Sequence, residues 1–147
     1  MNWTLKSFDE LTVSEFHDFI QLRLNIFVVE QDCPYLDLDG KDKIAYHLFA
    51  TTDQGQTVAY TRLFAPGNYY KEAAIGRVVV HKDFRKDGLG FELMSRSIQQ
   101  IESLFNTKTI RIGAQQYLKK FYESLGFVPT GHEYMEDGIP HMYMTKN

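Results

Sequence analysis

The chain has one cysteine, Cys33, in 147 residues. No intramolecular disulfide can form, so stability has to come from a packed core, and a lone thiol fits a reducing, cytoplasmic setting. The first ten residues, MNWTLKSFDE, lack the apolar centre of a secretion signal, and no apolar run approaches the roughly 18 residues of a membrane span. A membrane partner is not expected. Neither sign of charge dominates: Lys+Arg 16 against Asp+Glu 19 leaves a net −3, and the charges are interspersed, which argues against a nucleic-acid partner. The five histidines show no ligand-type pairing, so no metal is expected. There is no G-x-G-x-x-G after a strand and no G-K-[ST], which removes the dinucleotide-binding fold and the P-loop. Without repeats, linkers or low-complexity segments, residues 1–147 read as one domain, and a chain of this size buries roughly 68–70% of its unfolded surface.

What is present is concentrated in Ala73 to Met94, AAIGRVVVHKDFRKDGLGFELM. Ile75, Val78, Val79 and Val80 favour a buried strand, because branched Cβ atoms are stiff and fit a pleated surface. Gly88 and Gly90 then allow a sharp bend, and Leu89, Leu93, Met94 and Ile98 resume at helical spacing. A strand, a tight loop and a helix start in that order expose unpaired N–H groups at the positive end of a helix dipole. Phosphate suits such a place, and Arg85 and Lys86 add charge in the R-x-x-G-x-G run from Arg85 to Gly90. The spacing alone is equally that of a plain turn.

Along the rest of the chain, Trp3 to Phe8 reads as a strand. Thr12 and Glu15 form a capping box ahead of a helix from Val13 to Val29, marked by Phe16, Phe19, Ile20, Leu24 and Phe27. Residues 30–43, EQDCPYLDLDGKDK, carry Pro34, Gly40 and scattered acids, and are expected to form a long solvated loop. Its acids do not make a calcium hand, since position twelve from Asp37 is Leu48. Ile44–Thr51 and Thr57–Phe64 flank the DQGQ turn of a hairpin. After a helix to Phe105, Thr109–Ala114 is a strand and Gln116–Leu125 a helix stopped by Gly126. Phe127–Tyr134 and Met142–Thr145 are the final strands, joined through Glu136–Pro140. A helix between the fourth and fifth strands requires a right-handed parallel crossover, while the hairpins are antiparallel. The fold class is α/β of the α+β type: one mixed, mostly antiparallel sheet of about seven strands with helices on both faces.

The element order, V-V-V-H-K-D-F-R-K-D-G-L-G and F-Y-E-S-L-G-F resemble the GNAT superfamily of N-acetyltransferases. FVVEQDCPY (Phe27 to Tyr35), AIGRV (Ala74 to Val78), GAQQYLKKFYESLGF (Gly113 to Phe127) and EDGIPHMYM (Glu136 to Met144) resemble, more narrowly, the ElaA-like family. The resemblance implies acetyl-CoA as co-substrate and direct transfer to a primary amine, either a small cationic amine or a protein amine; a monomer or homodimer is expected. A non-catalytic acyl-CoA sensor on the same fold is the alternative, and another acyl donor is a third reading. It further implies cofactor contacts along Val78, Val79 and Val80, over the loop Arg85, Lys86, Asp87, Gly88, Leu89 and Gly90, and at Gln115, where many relatives carry asparagine.

Attack by an amine on a thioester needs a base for the ammonium and an acid for the departing thiolate. Tyr122, four residues before Gly126, matches the superfamily's tyrosine acid. The base is open. Histone-acetylating relatives carry a glutamate where this chain has Ala73, Ala74 and Ile75. Glu30, His47, Glu136, Asp137 and His141 are the candidates, directly or through water, with Glu136, Asp137, His141 and Arg77 also on the acceptor side. His47 and His141 read more readily as satisfied histidines at a strand edge. Arg77, pointing away from Val78 on an alternating strand, is placed to hold the acidic loop by an ion pair. Cys33, before Pro34 with no basic neighbours in spacing, reads as a packed thiol.

Overall fold

The computed structural model describes residues 1–147. Its strands are β1 (Asn2–Ser7), β2 (Tyr46–Thr51), β3 (Thr57–Phe64), β4 (Ala73–Val80), β5 (Ile110–Gln115), β6 (Val128–Glu136) and β7 (Ile139–Lys146); its α-helices are α1 (Val13–Arg23), α2 (Leu89–Phe105) and α3 (Lys119–Glu123). They form one seven-stranded sheet in the order β1-β2-β3-β4-β5-β7-β6. Only β4 and β5 are parallel, and the remaining neighbours are antiparallel. The expected mixed sheet is present. Phe19, Ile20 and Leu22 of α1 pack with Phe49, Tyr60 and Val79 on one face. Leu89, Leu93, Met94 and Ile101 of α2, with Tyr122 of α3, cover the other.

The elements differ from the sequence reading where backbone geometry departs from regular periods. Thr12 accepts from the Glu15 N–H and starts α1 as read, but after Arg23 the chain continues as a π-helical stretch, Leu24–Glu30. Its wider turns are marked by Gln31 N–H donating to Ile26 O and Cys33 N–H to Val28 O. Ile44 closes a 3₁₀ turn instead of opening β2, and the last helix begins as a 3₁₀ turn, Gln116–Leu118. The final hairpin turns on Asp137 and Gly138 alone, both at positive φ, so β6 and β7 run further than read.

β4 carries the feature that shapes the molecule. Tyr60 pairs with Val79 but Arg62 pairs with Gly76, so one extra residue is inserted and Arg77 sits at φ 50°. Alternation therefore breaks: Ala73 and Ile75 face α2 and α3, and so do Val78 and Val80, while Ala74 and Val79 face the opposite side. β4 meets β5 only at Ala73–Ile110 and Ala74–Arg111. Beyond those pairs the strands splay.

Two acids of the loop, Asp37 and Asp42, are not solvated, which corrects the sequence reading. Asp37 and Asp42 are buried, and Asp39 is engaged at the loop's edge. Fully buried Arg23 donates from Nε to Asp37 and from Nη1 to Asp42, both at 2.8 Å. Arg62 grips Asp39 with two N–H groups at 2.9 and 2.7 Å and reaches Asp42 at 3.2 Å. Arg77 lies 2.9 Å from Asp37 Oδ1 and donates to the Asp37 carbonyl at 2.9 Å, confirming its expected tie to the loop. Burial works against Asp39 ionising, but its Arg62 bonds outweigh that and hold the carboxyl well below the usual range.

His47, a candidate base, belongs to this buried frame and not to any cleft. It is fully buried on β2, an inner strand, with Nε2–H donating to the Asp42 carbonyl at 2.9 Å and Nδ1 accepting from Tyr60 at 2.6 Å. Burial among Arg23 and Arg62 pulls its pKa down to about 4, despite the Asp42 carbonyl.

Removing one partner from a buried ion pair strands the other charge. Arg23→Met is expected to lower unfolding free energy by about 3–5 kcal/mol in urea titration. A separate expectation concerns His47. The folded pKa lies below the ordinary 6.5, so the unfolded state takes up the proton first and stability falls as pH drops from 6.5 towards 4. That interval corresponds to roughly 3 kcal/mol, read as a falling urea midpoint in wild type and a flatter profile in His47→Gln.

Candidate active site

The splay of β4 from β5 opens into a cleft of about 790 Å³. Ile75 to Val80 form one wall, backed by Ile26, Phe27 and Glu30 from the π-helical stretch; Ile112, Gly113 and Gln115 of β5, with Phe121 and Tyr122, form the other. The π-helical turns matter here. A side-chain pattern every three or four residues hides them, which is why the sequence reading ran a regular helix to Val29. Tyr35, Asp39, Tyr69, Glu136, Asp137 and His141 ring one end.

On the β4 wall, Val78 to Val80 have no ladder partner on the β5 side. Arg85 Nε donates to the Val80 carbonyl at 3.0 Å, and its Nη2 pairs with Glu30 at 2.8 Å. Glu30 and Arg85 are both partly exposed, so this pair is weak and readily exchanged. The loop Lys82–Asp87 is 3₁₀, Gly88 sits at φ 72°, and α2 starts at Leu89. The N–H groups of Leu89, Gly90 and Phe91 are those a helix start leaves unpaired. Of the loop residues singled out in sequence, Arg85 and Gly90 line the cleft, whereas Lys86, Asp87 and Gly88 do not. Leu89 is a core residue packed with Leu48 and Leu93.

On the opposite wall Tyr122 is buried between Phe121 and Phe127, at ring distances of 5.2 and 6.1 Å. Its hydroxyl takes no partner in the protein, and burial pushes the phenol up from its ordinary value. The group is a neutral proton donor near pH 7. Gln115 reaches across to Gln31, Nε2 to Oε1 at 3.4 Å. Cys33 is buried at the cleft edge with its S–H on the Asp137 carbonyl at 3.2 Å, a packed thiol as read.

The outer end is acidic and aromatic. Over the whole lining the charged groups are Glu30, Asp39, Glu136 and Asp137 against Arg77 and Arg85, so four negative and two positive charges leave −2. His141 is buried, its Nδ1–H on the Ile139 carbonyl at 2.7 Å and its Nε2 3.5 Å from Glu136 Oε2. Sequence reasoning missed Tyr35 and Tyr69, which carried no spacing signal. Ala73 and Ala74 are buried at the closed end, so no carboxylate enters from that part of β4.

A parallel strand pair that parts beside a helix N-terminus, with a buried tyrosine facing the open strand edge, can be compared with known proteins. The model of the acetyltransferase (GNAT) domain matches residues 27–147. The chain belongs to the GNAT acetyltransferase family. Protein ElaA of Escherichia coli K12 is 36% identical over 99% of this chain and 96% of its own, and the ElaA crystal structure superposes with a TM-score of 0.91 over 99% of each. An acyl-CoA N-acyltransferase from Pseudomonas aeruginosa is 40% identical with a TM-score of 0.93 over the full length of both chains. An aminoglycoside 6'-N-acetyltransferase, solved in complex with coenzyme A, shares the fold at 17% identity and a TM-score of 0.69, over 97% of this chain and 96% of its own. This GNAT chain has no helix long and apolar enough to cross a membrane.

Because the Tyr122 hydroxyl bonds to nothing in this GNAT domain, deleting it orphans no partner. Tyr122→Phe is expected to unfold within about 1 kcal/mol of wild type in urea titration, which makes it a clean probe of chemistry.

Proposed function

We propose that the protein is an acetyl-CoA-dependent N-acetyltransferase that moves the acetyl group directly to a cationic primary amine, small or on a protein, in a ternary complex. The observation that carries this reading is the free β4 edge at Val78 to Val80, open towards buried Tyr122 across the cleft. The GNAT domain match and the coenzyme A bound by the aminoglycoside 6'-N-acetyltransferase support the same donor.

Each part of the donor has a group suited to it. Coenzyme A would be held with its pyrophosphate over the α2 N-terminus, where unpaired N–H groups and Arg85 and Lys86 meet phosphate charge. Arg85 exchanges Glu30 for phosphate in doing so. The pantetheine amides would add to the main-chain groups of Val78 and Val80 as an extra strand, with one N–H polarising the thioester carbonyl. Gln115 offers an amide to the arm.

The amine nitrogen attacks the carbonyl carbon, a C–N bond forms, and the C–S bond breaks as the tetrahedral oxyanion collapses. Tyr122 gives its proton to the departing thiolate. Its raised pKa keeps that proton in place throughout the neutral range, so Tyr122 introduces no alkaline loss of activity below about pH 10. The net −2 lining attracts an ammonium ion and disfavours an anionic acceptor.

Calorimetry with acetyl-CoA and thiol release across amines such as butylamine, putrescine and lysine peptides provide the test. Binding with turnover is expected, and Tyr122→Phe should lower kcat about 10²-fold at unchanged acetyl-CoA affinity. Binding without turnover on any amine would point to a sensor. Absence of binding would end the transferase reading.

A further inference from the structure

Two of the four carboxylates lining the cleft are already engaged. Glu30 is paired with Arg85, Asp39 is held by Arg62, and His47 lies outside the cleft. His141 differs. Its Nδ1 lies 2.7 Å from the Ile139 carbonyl, two residues back along β7, which can only accept, so Nδ1 carries a proton and in the neutral ring the lone pair lies on Nε2. The ring stacks on Tyr134 of β6 at 5.5 Å, with planes 27° apart. Its backbone carbonyl accepts from Gln116 Nε2 at 3.0 Å, fixing the strand to the turn that follows β5. The hairpin tip is held as well, through Cys33 on the Asp137 carbonyl. Every freedom of the imidazole is restrained except access to Nε2, which looks onto the cleft beside Glu136.

We propose that His141 is the base that deprotonates the acceptor, with Glu136 binding the incoming ammonium and stabilising the imidazolium that results. The assignment rests on the transferase reading above and adds its missing proton acceptor. An ammonium seated between Glu136 Oε2 and His141 Nε2 replaces the 3.5 Å contact between them with a hydrogen bond to each. One N–H proton passes to Nε2, the free amine attacks, and the imidazolium, paired with Glu136, loses the proton to solvent past that half-exposed carboxylate. The nitrogen's second proton, lost as the amide forms, balances the one Tyr122 gives to the thiolate, so one proton is released per turnover. Beside His141 stand Glu136 and Tyr134 from β6, Gln115 across the β5–β7 ladder and Gln116 from the turn after β5, while Asp137, Cys33, Arg77 and Arg85 line the same cleft.

A base and a structural histidine separate experimentally. With butylamine as probe, His141→Ala should lose 10²- to 10³-fold in kcat/KM for the amine while binding acetyl-CoA as wild type does by calorimetry. Free imidazole should restore at least tenfold, and the acidic limb of the pH profile should vanish. Glu136→Gln should raise KM for butylamine more than it lowers kcat. Nitrogen-15 spectra of the histidine rings give a readout independent of turnover: His141 should show the Nδ1–H tautomer, and its Nε2 resonance should move when butylamine is added to the coenzyme A complex. A His141→Ala enzyme within threefold of wild type, or an Nε2 resonance that ignores butylamine, overturns the proposal. Failure of wild type to bind acetyl-CoA would instead strike the transferase reading itself.

Discussion

The arrangement depends on a frame of paired charges behind the β4 bulge. Arg23 from α1, Arg62 from β3 and Arg77 from β4 converge on Asp37, Asp39 and Asp42, all from one loop. Arg23, Arg62, Asp37 and Asp42, the buried four, would not be buried alone, because the cost of desolvation far exceeds what packing returns. Together the arginines and aspartates neutralise one another and fasten the loop at three elements. The cation–π contacts of Arg23 over Tyr60 at 5.5 Å and Arg62 over Phe64 at 5.1 Å complete the enclosure. A loop free in solvent would leave the cleft without Tyr35 and Asp39; this one forms a fixed wall.

The frame also explains how a strained residue persists. Arg77 sits at φ 50°, which a long side chain rarely adopts without compensation. The compensation is its ion pair to Asp37, with the guanidinium lying over Tyr35 at 5.6 Å. The bulge in turn rotates Val78 and Val80 to the same side as Ile75, away from α1, and leaves their main chain bare where β5 departs. One insertion thus decides both the side chains under the sheet and the hydrogen-bonding edge in the cleft.

Much of this was legible from residues alone, because regular periods and named motifs announce themselves. The Ala73–Phe105 strand, loop and helix, the hairpin around DQGQ and the capping box at Thr12 are local facts of pattern. Tyr122, Arg85, Gly90 and Gln115 followed from motif resemblance, and they do line one cleft. Three-dimensional partnership was not legible. Asp37 and Asp42 look like solvated acids because the arginines that bury them are 14 to 40 residues away in sequence. His47 is the satisfied histidine that its sequence reading favoured, but the partners that satisfy it, Tyr60 and the Asp42 carbonyl, and its stack on Phe19 at 5.1 Å carried no sequence signal. The π-helical stretch escaped because its side chains fall close to an α-helical stripe for one turn.

The two ends of the cleft are therefore different media. Around Tyr122 the neighbours are Phe121, Phe127 and Leu125, which carry no charge, and a phenol there stays neutral because nothing nearby would stabilise its anion. Around His141 the neighbours are the Glu136 carboxylate, the Ile139 carbonyl and the Tyr134 phenol, which suit a cation in transit. An acid that must hold its proton until a thiolate appears belongs in the first medium, and a base that must accept one from an ammonium belongs in the second. Ala73 and Ala74 pack at the closed end of the splay, where β4 brings no carboxylate into the cleft.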